Sequence, residues 1–164
     1  MFRRYGFFLL ALTPAVLAAA PAQPVAEVFP RTPEYYTVRY GLADSSQEHG
    51  RWSFPHPGTA GFTEVARDFS VRRWHDRERK IEAVFFRPEL KLAAVTIVRP
   101  AGWTPGDVEA LLAGYGARWR RLGPDRWVSD EGVRAIHLDG AFHLLSPRIV
   151  GAMDDKLESK GGRR

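Results

Sequence analysis

Between Lys80 and Val98 two largely apolar runs flank a short polar turn, and their faces can be told apart. In Lys80 to Arg87, Ile81, Ala83 and Phe85 share one side while Val84 and Phe86 share the other. A strand apolar on both sides belongs in the interior of a sheet. Pro88 to Lys91 reads as a turn, and Leu92 to Val98 as a second apolar strand rich in β-branched residues, closed by Pro100 and Gly102.

The period then changes. Val108, Leu111, Leu112 and Tyr115 fall at i, i+3, i+4 and i+7 and gather into one helical stripe. Thr104 supplies an N-cap, Pro105 suits the first helical position, Asp107 stands three residues after the cap, and Gly116 can take the left-handed turn that ends the helix. So short a helix is marginal alone, so its stripe must lie on a sheet.

After Gly116 the pattern predicts short strands at Arg118 to Leu122, Arg126 to Ser129, Val133 to Leu138 and Ala141 to Ser146. Gly123-Pro124-Asp125, Asp130-Glu131-Gly132 and Asp139-Gly140 punctuate them, and Asp-Gly between apolar runs is a strong hairpin signal. Ile149 to Leu157 adds a short terminal helix. The resulting expectation is an α+β domain, mainly an antiparallel sheet in the order β-β-α-β-β-β-β, with one well-marked helix packed on a face.

Upstream the signals are weaker. Residues 23–62 read as an extended lead-in and a long loop: three prolines from Gln23 to Pro33, then Gly, Pro and Ser throughout Ala43 to Gly61. Tyr35, Tyr36, Val38 and Tyr40 suggest a short strand between them, and Thr63 to Asp68 a turn or two of helix. The domain proper is then 63–153, with a frayed basic tail at 154–164.

The first 22 residues differ in kind. Arg3 and Arg4, an apolar run from Phe7 to Ala20, and Ala20-Pro21-Ala22 are the three parts of a secretory signal peptide at 1–22. Export to the periplasm or outside the cell follows, with no transmembrane span in the mature chain; a retained anchor is the alternative. Removing the leader leaves 142 residues, enough for one self-supporting core, and takes the formal charge from +5 to +3. There is no cysteine, so neither disulfides nor a cysteine-linked lipid are available.

Candidate chemistry is sparse. His137-x-Asp139-x-x-x-His143 invites a metal reading, but a two-residue Asp139-Gly140 turn pairs His137 with Phe142 and His143 with Ile136, placing the two rings on opposite faces. No Gly-x-Ser-x-Gly elbow, Walker loop or Gly-x-Gly-x-x-Gly is present. No catalytic, cofactor-binding or metal-binding residue is assigned. Two sets remain: His49, Trp52 and His56 as a loop site, and Arg118, Arg120, Arg121 and Arg126 as an anionic-partner surface interleaved with Trp119 and Trp127. Against the second stands simple alternation, which buries Trp119 under the helix and leaves Arg118 and Arg120 in solvent beside Asp125, Asp130 and Glu131.

Lys80 to Pro147, with its apolar hairpin, Trp103-Thr104-Pro105 to Leu111-Leu112 helix, Trp119, Trp127 and Asp130-Glu131-Gly132, resembles small exported bacterial proteins of unknown function. The resemblance implies export and a shared fold, and carries no activity. The expectation is a non-catalytic exported domain binding another macromolecule, a protein or envelope component, with nucleic acid disfavoured. The alternatives are a small hydrolase with its site in 43–61, or a binder of anionic polymer or membrane through the arginine hairpin.

Overall fold

The computed structural model describes residues 32–75, 78–116 and 118–161. The leader at 1–22 and the proline-rich start of the lead-in lie outside them. The elements are α1 (Pro33–Tyr40), β1 (Asp44–Glu48), β2 (Trp52–Pro55), β3 (Phe62–Val65), β4 (Phe69–His75), β5 (Lys80–Phe86), β6 (Lys91–Val98), α2 (Pro105–Gly114), β7 (Trp119–Gly123), β8 (Arg126–Ser129), β9 (Arg134–Leu138), β10 (Ala141–Leu145) and α3 (Pro147–Gly161).

Eight strands form one antiparallel sheet in the order β1-β4-β5-β6-β10-β9-β8-β7, and β2 pairs with β3 in a separate antiparallel hairpin. The α+β class and the antiparallel sheet follow the sequence expectation. β5 is interior and apolar on both faces: Ile81, Ala83 and Phe85 belong to one core, Val84 and Phe86 to the other. The helices α1 and α2 cover the first core, the β2–β3 hairpin and α3 the second. Three layers result.

Three expectations are corrected. Residues Tyr35 to Tyr40 form a helix, not a strand: Pro33 stands in its first turn, and the i, i+4 pair Tyr36 and Tyr40 stack on one side. Tyr36 is buried against Trp74 and Phe85, and the Trp74 indole donates to the Gly41 carbonyl at 2.9 Å, fixing the helix end to β4. The stretch expected as a long loop instead carries β1 and β2, since Phe54 packs on Phe69 and recruits this glycine- and proline-rich segment to the second core. Phe62 to Val65 is a strand, not a helical turn, because it pairs with β2 in register Trp52↔Val65. The folded unit therefore starts well before residue 63, and α3 carries the tail in helix as far as Gly161. No helix among the described residues is long and apolar enough to cross a membrane.

The landmark helix forms as read. Thr104 and Asp107 make a reciprocal capping box, and Val108 and Leu112 are buried while Leu111 and Tyr115 pack half-buried against the same core. The hairpin around Asp139-Gly140 has the expected register, Leu138↔Ala141, His137↔Phe142 and Ile136↔His143.

Candidate functional site

A concavity that carries polar side chains lies at the start of α2. Gly102, at φ +79, turns the chain after β6 and sets Trp103 immediately before the Thr104 cap. That is the position from which an apolar residue braces the first helical turn, opposite Val108. The Trp103 ring rests on Phe142 at 5.5 Å between centroids, and Trp127 of β8 rests on the same ring at 6.0 Å. The buried Phe142 thus supports both indoles from beneath, and the two indoles are walls of the cleft, with Val108 and Leu112 of α2 also lining it.

Polar groups complete the cleft. His137 lies at 6.4 Å from Trp103, nearly edge-on, and its Nδ1 is 3.4 Å from Asp125 Oδ1. The His137 backbone N–H also donates to the Asp125 carbonyl at 2.9 Å, holding the Gly123-Pro124-Asp125 turn against β9. Arg121 enters from β7 and Glu109 from α2, closing a cavity of about 250 Å³. On the far side of Trp103, the Arg99 guanidinium lies 5.4 Å from the ring centroid and pairs with Asp107.

The lining residues offer one hydroxyl, one imidazole, two carboxylates and one guanidinium. Thr104 is the only hydroxyl-bearing side chain of the cleft, and it is occupied twice: it donates to Asp107 Oδ2 at 2.7 Å and accepts from the Asp107 N–H at 3.2 Å. No free hydroxyl therefore faces His137 among the described lining residues. The hydrogen bonds from Thr104, side chain first, and then Arg99 hold the Asp107 carboxyl down at about 2, so it stays ionised and committed to the cap. The Trp103 Nε1 is buried without a hydrogen-bond partner among the described residues.

The arginine set divides. Trp119 faces α2, its Nε1 donating to the Leu112 carbonyl at 3.0 Å, and Arg121 shares that side. Arg118 and Arg120 face the other way, bounding a shallow depression with Val128 and Asp130, and Arg118 pairs with Asp130 at 3.1 Å. Arg126 is covered by the β2–β3 hairpin tip and donates to the Thr59 carbonyl. The four do not form one contiguous cationic face.

The loop set is dispersed as well. His49 meets Asp68 at 3.4 Å, both exposed. His56 accepts at Nδ1 from the Gly58 N–H at 2.9 Å, a turn bond within the hairpin tip. Trp52 packs at the edge of the second core with Arg73 above it. These residues line no common cavity among the described residues.

Sequence reasoning weighed His137 only as a metal ligand and passed over Trp103, Glu109 and Asp125 as site residues. One signal was present: a tryptophan placed directly before a capping threonine must pack across the first helical turn. No family model, curated protein or solved structure matches this chain.

Proposed function

We propose that this protein is a non-catalytic exported domain, periplasmic or secreted, that binds another macromolecule through the cleft beneath α2. The carrying observation is the pairing of two indole walls with the polar rim of Glu109, Arg121, Asp125 and His137. Aromatic walls supply desolvated contact area and the rim supplies orientation, the combination found in recognition pockets. A cleft of about 250 Å³ suits one projecting side chain or ring of a larger partner. Export rests on the basic, apolar and small-residue pattern of the first 22 residues.

The test is cross-linking of the full chain in its native host, followed by capture and mass spectrometry of wild type beside Glu109→Lys and His137→Ala. Both changes alter the rim and leave the two indoles and the buried Phe142 beneath them intact. One saturable partner, lost from both variants, is the expected result. An unaccompanied wild-type monomer, or a partner retained equally by both variants, overturns the reading.

A further inference from the structure

The sheet ends on β7, and no described residue pairs with its outer side. One bond fixes which way its backbone points: the Asp130 N–H donates to the Arg118 carbonyl at 3.2 Å. In an antiparallel ladder the amide and carbonyl of one residue point the same way, and successive residues alternate. Arg118 and Arg120 therefore turn their backbones toward β8, while Trp119 and Arg121 present theirs to the open side. Such a repeat is what an added strand pairs with.

The side chains decide what kind of strand that is. A second copy pairing antiparallel about Arg121 sets Arg121 against itself, and a register one step over sets Arg120 against Arg121. Like charges directly opposite destabilise a ladder. No carboxylate among the described residues pairs with Arg120 or Arg121, and Arg118, although near Asp130, is 91% exposed. Exposed cations on an edge deter self-pairing and leave carboxylates as the complementary occupants.

We propose that β7 accepts an extended, acidic segment of another protein as an added antiparallel strand. This deepens the binding reading above and rests on it: Arg121 borders both the open edge and the cleft, so a segment along β7 runs past the rim of the two-indole cleft. The exposed Leu122 gives the added strand an apolar contact at the end of β7.

The test is an NMR titration of the ¹⁵N-labelled full chain with acetyl-Glu-Thr-Glu-Thr-Glu-Thr-amide and with its lysine counterpart, each at low and high salt. The acidic peptide alone is expected to shift the Trp119 and Arg121 amides and protect them from exchange. Arg120→Glu, whose backbone faces β8, weakens that binding by roughly fivefold. Arg121→Pro removes an outward N–H and the charge, whereas Arg121→Ala removes only the charge, so the proline variant binds more weakly. Equal binding by those two variants, equal binding of the lysine peptide, or salt-sensitive binding without protection at 119 and 121 overturns the proposal. If the peptide fails while Glu109→Lys still loses a cross-linked partner, only strand addition falls. If the wild type captures nothing, the cleft reading falls separately, on its own measurement.

Discussion

His143 and Thr96 face one another across β10 and β6, the ring Nδ1 3.0 Å from the threonine hydroxyl oxygen. They are a polar pair set within strands whose neighbouring residues are apolar, and His143 is 8% exposed with the Phe62 ring edge-on at 6.4 Å. Burial pushes the imidazole down to about 4, against smaller upward pulls from the Leu138 carbonyl and Asp139. The ring is neutral in the folded protein at neutral pH.

A pH dependence follows from that pair. The unfolded chain takes up a proton near pH 6.5 and the folded one only near 4, so stability is constant above about 6.5 and falls as pH drops between those values. The full loss is on the order of 3 kcal/mol. Urea unfolding from pH 7 to pH 5 is expected to show this slope, and His143→Leu to flatten it. An unchanged slope in the variant means that another group carries it.

At the start of α2, Thr104→Ala removes the reciprocal cap and is expected to cost about 1 kcal/mol. Because the Asp107 carboxyl sits at about 2, its contribution holds at neutral pH and is lost only as pH falls below the ordinary carboxylate range toward that value. Asp107→Asn should therefore differ from wild type at pH 7 and converge with it near pH 2. Denaturant midpoints across that range measure the difference.

The helical stripe is graded rather than uniform. Leu112 is 6% exposed and Leu111 only half-buried against the same core. Leu112→Ala is expected to cost about 3 kcal/mol, and Leu111→Ala clearly less. Equal losses would show that the two side chains are buried alike in solution.

Trp103→Phe separates folding from recognition. The change keeps a ring on Phe142 and removes an indole N–H that no group among the described residues satisfies. Stability is expected to stay within about 1 kcal/mol of wild type, because relief of the unmatched donor offsets lost area. Partner capture should drop. A large fall in melting temperature with capture intact would reverse the assignment.

Much of the second half of the fold was legible because its signals are local. Caps, Asp-Gly turns and strand alternation each sit within a few residues of the element they define. The first half was not, for a physical reason. β1 and β2 are polar or broken by proline, and their structure comes from partners far along the chain: β1 lies on β4 in register Asp44↔Arg73, and Phe54 lies on Phe69. Tyrosines at 35, 36 and 40 suit a strand by propensity, and only contact with Trp74 and Phe85 makes the helix the better solution. The cleft was half legible. His137 and Trp127 stood out, but Asp125 looked like turn chemistry and Glu109 like a solvated helix position until α2 was laid across β8 and β9.

The connection through α2 also sets an order of events in folding. β6 runs into α2, which carries the chain to the outer edge, and the meander from β7 returns so that β10 lies beside β6, joining Val98 to Ala141 and Ala94 to Leu145. Every other neighbouring pair in the sheet except β1–β4 joins strands consecutive in the chain. The β6–β10 seam must close a loop of more than forty residues, whereas the hairpins on either side close short ones. The β4–β5–β6 and β7–β10 meanders can each assemble from near neighbours, and their joining carries a larger loop-closure cost than the hairpins do. Destabilising substitutions along that seam, at Val95 or Leu144, will show as slower folding if the seam is closed in the transition state, and as faster unfolding if it closes after it.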